Sequence, residues 1–128
     1  MRFFFDNNLA PRLAHGFREF VAREHEVRHL RDLFQPNVSD VEWMQSLAAE
    51  HGWVVISGDV RIGKNPHEIA AWKAAGHTIF FLKSGWTNIG FWEQVSKLAR
   101  CFPELVKTAE RAKPGASFVV TMKGRIEP

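Results

Sequence analysis

The stretch MRFFFDNNLAPRLA, residues 1–14, contains the pattern that decides the fold: an apolar run, then an acid, then the start of a helix. The three phenylalanines at 3–5 are typical of a buried strand. Asp6 stands where this strand gives way to a helix predicted from about residue 9 to 24. Asn8 is the predicted N-cap of that helix, because its side chain can accept a hydrogen bond from a free backbone N–H. The chain is therefore expected to begin with a strand–acid–helix unit.

The same pattern recurs in the middle of the chain. The apolar run at 53–56 is followed by Ser57, Gly58 and Asp59. In an open parallel sheet the carboxyl ends of the strands converge on one crevice, where ligands bind. Two acids at two such strand ends can meet in space and hold a hard cation.

Strand and helix signals alternate along the whole chain. The predicted strands are 2–5, 26–30, 53–57, 78–82 and 117–122. The predicted helices run from about 9 to 24, from Ser39 to about His51, from Asn65-Pro66 to Gly76, from 87 to 101 and from Pro103 to Lys113. Loops are predicted at 31–38 and 58–65, and a loose tail at 123–128. This alternation predicts an α/β fold: a three-layer α/β/α sandwich with a mostly parallel, about five-stranded sheet, in a single domain of residues 1–128.

Composition limits the class of protein. No apolar stretch approaches the ~20 residues that a membrane span needs, and no signal pattern opens the chain, so a soluble cytoplasmic protein without a membrane partner is expected. The single cysteine, Cys101, has no intrachain disulfide partner and is expected to be a buried apolar residue. The six histidines never form an HxH or HExxH pattern, so no zinc site is indicated. A net charge of +3 is compatible with an RNA partner but does not single one out.

Three acids are the candidate metal ligands. Asp6 and Asp59 are the strand-end pair, and Asp40, in the first turn of a helix, is the preferred third. Two carboxylates held close together repel unless a cation or a proton intervenes. Asn7 and Asn8 add carbonyl oxygens of the kind that Mg²⁺ and Mn²⁺ accept.

Each of these residues also has a structural interpretation. Asp6 can be a turn former or a helix cap, and Asp59 can pair with Arg61. Glu42, a second-line candidate, can complete a capping box with Ser39. Asn7 and Asn8 can serve as local caps.

The segment GDVRIGKN at 58–65 has the G-x4-G-K spacing of a phosphate-binding P-loop. Asn65 stands where a Ser or Thr would bind Mg²⁺, and Asp59 would place negative charge inside the phosphate site. A nucleotide-hydrolysing loop is therefore not favoured. Arg61 and Lys64 remain candidates for contacts with a nucleic-acid backbone.

Most of the aromatic residues are expected in the core. Trp43 and Trp86 are the candidates for stacking on bases. Phe91 and Trp92, on an amphipathic helix, are a candidate partner surface.

Four segments carry a family resemblance: MRFFFDNNLAPRLA, VRHLRDLF, SDVEWMQSLA and GWVVISGDVRIGKNPHE. In this order, over about residues 1–85, the chain resembles the PIN-like domains, in particular the compact branch grouped with VapC-type toxins. The resemblance implies a metal-dependent endoribonuclease in which Asp6, Asp40 and Asp59 bind Mg²⁺ or Mn²⁺. It also implies an RNA substrate, an antitoxin protein as partner and a homodimer.

One departure and two alternatives remain. PIN nucleases commonly have a fourth acid close after the position of Asp59, where this chain has Arg61. A catalytically weak or inactive PIN-like module that binds a partner protein or RNA is therefore the main alternative. A phosphoacceptor receiver also has acids after its first and third strands, but it requires two adjacent acids where this chain has Asp6 followed by Asn7.

Overall fold

The computed structural model describes residues 1–50 and 52–128. In these ranges six strands form one sheet: Arg2–Phe5 (β1), Glu26–His29 (β2), Val54–Ser57 (β3), Thr78–Leu82 (β4), Ser117–Val120 (β5) and Ile126–Glu127 (β6). The α-helices of the same ranges are Pro11–Phe20 (α1), Leu30–Leu33 (α2), Asp40–Leu47 (α3), Pro66–Ala75 (α4) and Phe91–Arg111 (α5). Short 3-10 helices lie at Ala48–Glu50, Val60–Lys64 and Ser84–Asn88.

The strand order is β2-β1-β3-β4-β5-β6, and β1 to β5 are all parallel to one another. The predicted α/β class and mostly parallel sheet are therefore confirmed. The sheet order places β1 and β3 side by side, with Phe5 opposite Ile56. The residues that follow these two strands, Asp6 and Ser57-Gly58-Asp59, consequently leave the sheet together at one edge, called here the carboxyl edge.

Side chains of the buried strands alternate between two cores, one on each face of the sheet. Phe3 and Phe5 join the core beneath α1 and α5, while Phe4 joins the core beneath α3 and α4. Successive strand residues point to opposite faces, so a strand covered on both sides is apolar at every position. This is why the uninterrupted phenylalanine run forms a central strand of a three-layer sandwich.

The end of the chain differs from the prediction. The tail predicted to be loose forms β6, which pairs antiparallel with β5 through Val120 and Ile126. The turn between them is closed by a bond from Thr121 N to Arg125 O of 2.8 Å. Gly124 adopts φ +81° in this turn, a conformation that glycine reaches without a Cβ penalty.

Two helix boundaries were also wrong. The N-cap of α1 is Ala10, and Asn8 instead accepts a hydrogen bond from Gly58 N at 3.1 Å. Residues 91–111 form one helix through Pro103, where two helices were predicted. Proline removes one backbone donor, but Phe102 and Leu105 bury the helix on both sides of it, so tertiary packing keeps the helix continuous.

Both predicted loops contain helical turns. In the first, α2 is capped by a reciprocal pair: the His29 side chain accepts from the backbone, and the Asp32 carboxylate accepts from His29 N at 2.8 Å. In the second, Val60–Lys64 forms a 3-10 helix. The predicted capping box of α3 is half present, since Ser39 Oγ accepts from Glu42 N at 3.2 Å. The predicted end of that helix, at about His51, lies outside the described residues. Within them, no helix is long and apolar enough to cross a membrane.

Candidate metal and nuclease site

A cavity of about 270 Å³ opens at the carboxyl edge, between the ends of β1 and β3 and the start of α3. Its lining residues are Asp6, Asn7, Asn8, Leu30, Pro36, Val38, Asp40 and Asp59. The three acids and two asparagines that the sequence singled out therefore line one cavity. Their roles in binding or catalysis stay predictions.

Asp6 is the buried member of the group, with 5% of its surface exposed. Its carboxylate accepts hydrogen bonds from Ser57 Oγ at 2.8 Å and from Asn7 N at 2.6 Å. Burial raises the pKa of Asp6 to about 6, and the nearby charges of Asp40 and Asp59 add to the rise. The Asp6 side chain does not cap α1, and its hydrogen-bonded carboxylate lines the cavity.

Asp40 is positioned by a buried tryptophan. The indole Nε1 of Trp43 donates to Asp40 Oδ1 at 2.9 Å, one helical turn along α3. Trp43 is fully buried, so the prediction that it stacks on bases was wrong. Its function in the structure is to fix the orientation of the Asp40 carboxylate.

Asp59 is held by the neighbouring arginine. Arg61 Nε lies 2.9 Å from Asp59 Oδ1, and Arg61 Nη2 lies 3.1 Å from Oδ2. These hydrogen bonds lower the pKa of Asp59. The structural interpretation of Asp59, a loop acid paired with Arg61, is therefore what the structure shows. The Arg61 side chain is 88% exposed, so solvent and ligands reach it freely.

Glu68 is the acid that sequence reasoning missed. It lies in the first turn of α4, a helix that packs against α3. Burial, followed by repulsion from Asp40 and a hydrogen bond to the Asp40 carboxylate, raises the pKa of Glu68 to about 7. Asp59 and Asp6 contribute further repulsion. These four residues, Asp6, Asp40, Asp59 and Glu68, are called the acid cluster below.

A local signal for Glu68 was present in the sequence. Asn65 caps α4 by accepting from Glu68 N at 3.3 Å, which places the glutamate three residues after a recognisable N-cap. Because α4 follows the loop after β3, its first turn returns to the carboxyl edge. An acid at that position has the same relation to the crevice as Asp40 has in α3.

Other candidates lie away from the cluster or are already bonded. Glu42 is exposed on α3 and does not line the cavity. Lys64 lines a different cavity, beside Trp72 and Phe81. Asn7 Oδ1 accepts from Arg31 Nε at 2.8 Å, so its side chain has a structural partner in the fold.

The donor set can be tested against the ions that the sequence suggested. Within residues 1–50 and 52–128, no three His, Cys, Asp or Glu side chains are placed to hold one metal ion together. The contacts above give the reason, because Asp59 is turned to Arg61 and Asp40 is bonded to Trp43. The chemistry of the donors nevertheless fits: four carboxyls converge, and oxygen is the ligand that Mg²⁺ and Mn²⁺ prefer. A fit therefore requires Asp59 to exchange Arg61 for the ion.

The tryptophans divide into two classes. Trp43, Trp53, Trp72 and Trp86 are buried, whereas Trp92 is 79% exposed. Trp86 donates its indole N–H to Thr121 O at 3.0 Å, so its predicted stacking on bases was also wrong. Among the tryptophans of the described residues, the exposed one is therefore Trp92, at the start of α5.

A family model described as PIN like domain matches residues 1–84, which is 84 of the 128 residues. The chain therefore belongs to the PIN-like domain family, whose fold is of the nuclease type. No curated protein and no solved structure gives a significant match. The matched range contains all four members of the acid cluster and ends just after β4.

Proposed function

We propose that this protein is a metal-dependent endoribonuclease, most specifically the toxin of a toxin–antitoxin pair. The observation that carries the proposal is that three acids, Asp6, Asp40 and Asp59, line one small cavity at the carboxyl edge, with Glu68 close enough to interact with Asp40. Two of them, Asp6 and Glu68, have pKa values raised to about 6 and about 7. Burial is the main cause of both shifts, and repulsion between the acids adds to it. A cation between the acids would offset that repulsion.

In this proposal Asp6, Asp40, Asp59 and Glu68 hold Mg²⁺ or Mn²⁺. A bound ion supplies a more acidic water and offsets the charge that develops on the phosphate. The chain supplies the geometry: the Ser57 hydroxyl and Asn7 N–H orient Asp6, and the Trp43 indole orients Asp40. Below about pH 7 the Glu68 carboxyl keeps its proton, so loading requires that proton to leave.

Arg61 is the proposed contact for the substrate backbone. In the structure it neutralises Asp59. If Asp59 held the ion instead, the guanidinium would be available at the mouth of the cavity for a phosphate of the RNA backbone. Lys64, on the same 3-10 helix, adds a second cation for the backbone.

A catalytically weak or inactive module is the second candidate. It is favoured by one observation, the Asp59–Arg61 pair, in which the guanidinium occupies both oxygens of that carboxylate. In that case the same fold binds RNA or a partner protein without cutting. The toxin assignment, the antitoxin partner, the homodimer and a cytoplasmic location rest on the resemblance to VapC-type toxins and are part of the proposal.

The deciding experiment is cleavage of labelled RNA by the wild type and by Asp6→Asn, with Mg²⁺, with Mn²⁺ and with EDTA. Glu42→Gln is the matched control, because Glu42 is an exposed acid on α3 outside the cavity. Cleavage that requires the ion, survives in Glu42→Gln and disappears in Asp6→Asn supports the nuclease. A wild type that is inert with both ions, and free of any copurified protein, supports the binding module instead.

A further inference from the structure

The carboxyl edge extends past the acid cluster to a second set of residues that the proposed chemistry does not use. The 3-10 helix Ser84–Asn88 follows β4 at this edge. It lies beside Gly58, the residue before Asp59: a Cβ on Gly58 would come within 2.8 Å of Thr87 Cγ2 and 3.4 Å of the Asn8 side chain. Ser84–Asn88 therefore forms one wall of the path that leads away from Asp59.

The far side of this 3-10 helix is packed against the turn between β5 and β6. The Trp86 indole donates to Thr121 O at 3.0 Å, and a Cβ on Gly85 would meet the Met122 sulfur at 2.6 Å. The turn is thereby held at the same edge as the acid cluster, with one short element between them.

Around this turn lie two adjoining cavities, of about 390 and 190 Å³, that share Lys123. Five cations line them and are called here the basic rim: Lys83, Lys97, Arg100, Lys123 and Arg125. The acids that line the same cavities are Glu104 and Glu127. Among the described residues, no member of the rim is in an ion pair; Lys97 Nζ donates to Met122 O at 2.7 Å. The rim is thus a surface of excess positive charge.

Trp92 stands at the start of α5, which begins just after Ser84–Asn88. Its ring is 79% exposed and meets the Phe91 ring edge to face at 5.3 Å. Phe91 is itself covered by the Arg12 guanidinium, 3.8 Å from its centroid. Helical side chains tilt toward the helix N-terminus, so the indole of Trp92 leans toward the carboxyl edge. A flat aromatic surface is therefore presented on the same helix that carries Lys97 and Arg100 of the basic rim.

We propose that a single-stranded RNA leaving the acid cluster crosses Ser84–Asn88 and lies along the basic rim, with one base stacked on Trp92. This inference rests on the proposed function, since it names the form of the substrate. Phosphates meet the unpaired cations of the rim, and stacking on an aromatic ring requires an unpaired base, which a duplex does not offer. The combination of a charged track and an isolated stacking ring fits a single strand better than a protein surface.

The test separates binding from cleavage. Fluorescein-labelled oligouridine is titrated with protein in EDTA, and anisotropy is recorded over a series of salt concentrations. The variants are Trp92→Ala, Trp92→Phe and the double substitution Lys123→Gln with Arg125→Gln. Matched controls are Phe20→Ala and Arg23→Gln. Phe20 is a 65% exposed aromatic residue at the C-terminal end of α1, and Arg23 is an exposed arginine just beyond that helix.

We expect Trp92→Ala to weaken binding by about 5- to 100-fold and Trp92→Phe to retain most of the affinity. Removing two rim cations is expected to reduce the slope of log affinity against log salt by about 1.4. Equal affinities for Trp92→Ala and Phe20→Ala overturn the role of Trp92, and an unchanged salt slope in the double variant overturns that of the rim. Equal binding of a duplex of the same length overturns the proposal of a single-stranded substrate. Loss of a dimer in Trp92→Ala without any change in RNA affinity overturns the stacking of a base on Trp92. Cleavage by the wild type is measured separately. The nuclease proposal can therefore hold when the proposed RNA path is wrong, and the RNA path can hold when the nuclease proposal is wrong.

Discussion

The Arg61 guanidinium holds the Asp59 carboxylate through two hydrogen bonds, at 2.9 Å from Nε to Oδ1 and 3.1 Å from Nη2 to Oδ2. This pair decides whether the acid cluster can accept an ion, because it occupies both oxygens of the acid that follows β3. The Arg61 side chain is 88% exposed, whereas that of Asp59 is only 21% exposed. Solvent can replace the hydrogen bonds of the released guanidinium, so an ion can displace the arginine at small cost. Arg61 is therefore compatible with a working metal site, although it stands near the place of an expected acid.

Replacing Arg61 with Gln should release Asp59. We expect Mn²⁺ affinity, measured by isothermal titration calorimetry, to rise by about twofold to fivefold, because the ion no longer competes with the guanidinium. Cleavage of RNA should fall in the same variant if Arg61 contacts the substrate backbone. Lys64→Gln is the control for loss of one positive charge nearby, and its Mn²⁺ affinity is expected to change less. A lower Mn²⁺ affinity in Arg61→Gln would count against the displacement.

Glu68 provides the sharpest test of the acid cluster. Glu68→Gln should lower Mn²⁺ affinity by about tenfold or more, because one of four converging carboxylates is lost. The same substitution at Glu42 should leave the affinity unchanged, since that side chain is exposed and is not among the causes that shift the pKa of Asp6 or Glu68. The two variants have the same net charge, because each replaces one glutamate with glutamine. They are compared by calorimetry and by RNA cleavage. Equal effects at both positions would show that only the overall charge matters.

The contrast between Glu42 and Glu68 also shows how far the sequence could reach. Asp6 and Asp59 were found because each follows a buried apolar run, and the parallel register of β1 and β3 brings such positions together. Their proximity needed only the sheet topology. Glu68 was missed because it follows a helix cap, not a strand, and its relation to the cluster depends on how α4 packs against α3. Helix packing angles were not readable from the local pattern.

The remaining misses have similar physical causes. Trp43 and Trp86 were candidates for base stacking, but both donate their indole N–H to nearby acceptors inside the fold. The Trp86 bond to Thr121 O joins residues 35 apart in the chain, and the Trp43 bond to Asp40 depends on the orientation of both side chains in α3, so neither bond can be recognised from the sequence pattern. The tail was predicted to be loose because two residues, Ile126 and Glu127, are too short a run to be recognised as a strand. Pairing with β5 supplies the order that local propensity lacks.

Two substitutions at Asp40 should separate its effect on stability from its effect on activity. Asp40→Asn keeps an oxygen that can accept from the Trp43 indole, whereas Asp40→Ala leaves a buried N–H without a partner. We expect Asp40→Ala to lower the free energy of unfolding by about 1–3 kcal/mol relative to Asp40→Asn, measured by urea unfolding in EDTA. Both variants should lose metal-dependent cleavage. Equal stabilities would mean that the Trp43 bond does not hold this carboxylate in place.

Asp6 gives a pH-dependent prediction whose sign is fixed by its raised pKa. The folded-state pKa is about 6 and the ordinary value is 3.8, so the folded protein binds this proton more tightly than the unfolded chain does. The contribution of Asp6 to the free energy of unfolding is therefore undiminished below about pH 4 and falls as the pH rises through 6. The full change is about 3 kcal/mol, at 1.36 kcal/mol for each pH unit between the two values.

Asp6→Asn removes this titration. In EDTA at pH 8 we expect the variant to exceed the wild type in stability by roughly 1–3 kcal/mol, and at pH 4.5 the two should nearly coincide. Asp32→Asn is the control of opposite sign: burial works against ionisation there, but bonds from His29 and His15 lower its pKa overall, so this variant should be less stable at pH 8. Adding Mn²⁺ at pH 8 should stabilise the wild type and leave Asp6→Asn unchanged, which would abolish the advantage of the variant. If Mn²⁺ stabilises both proteins equally, the ion binds somewhere other than the acid cluster.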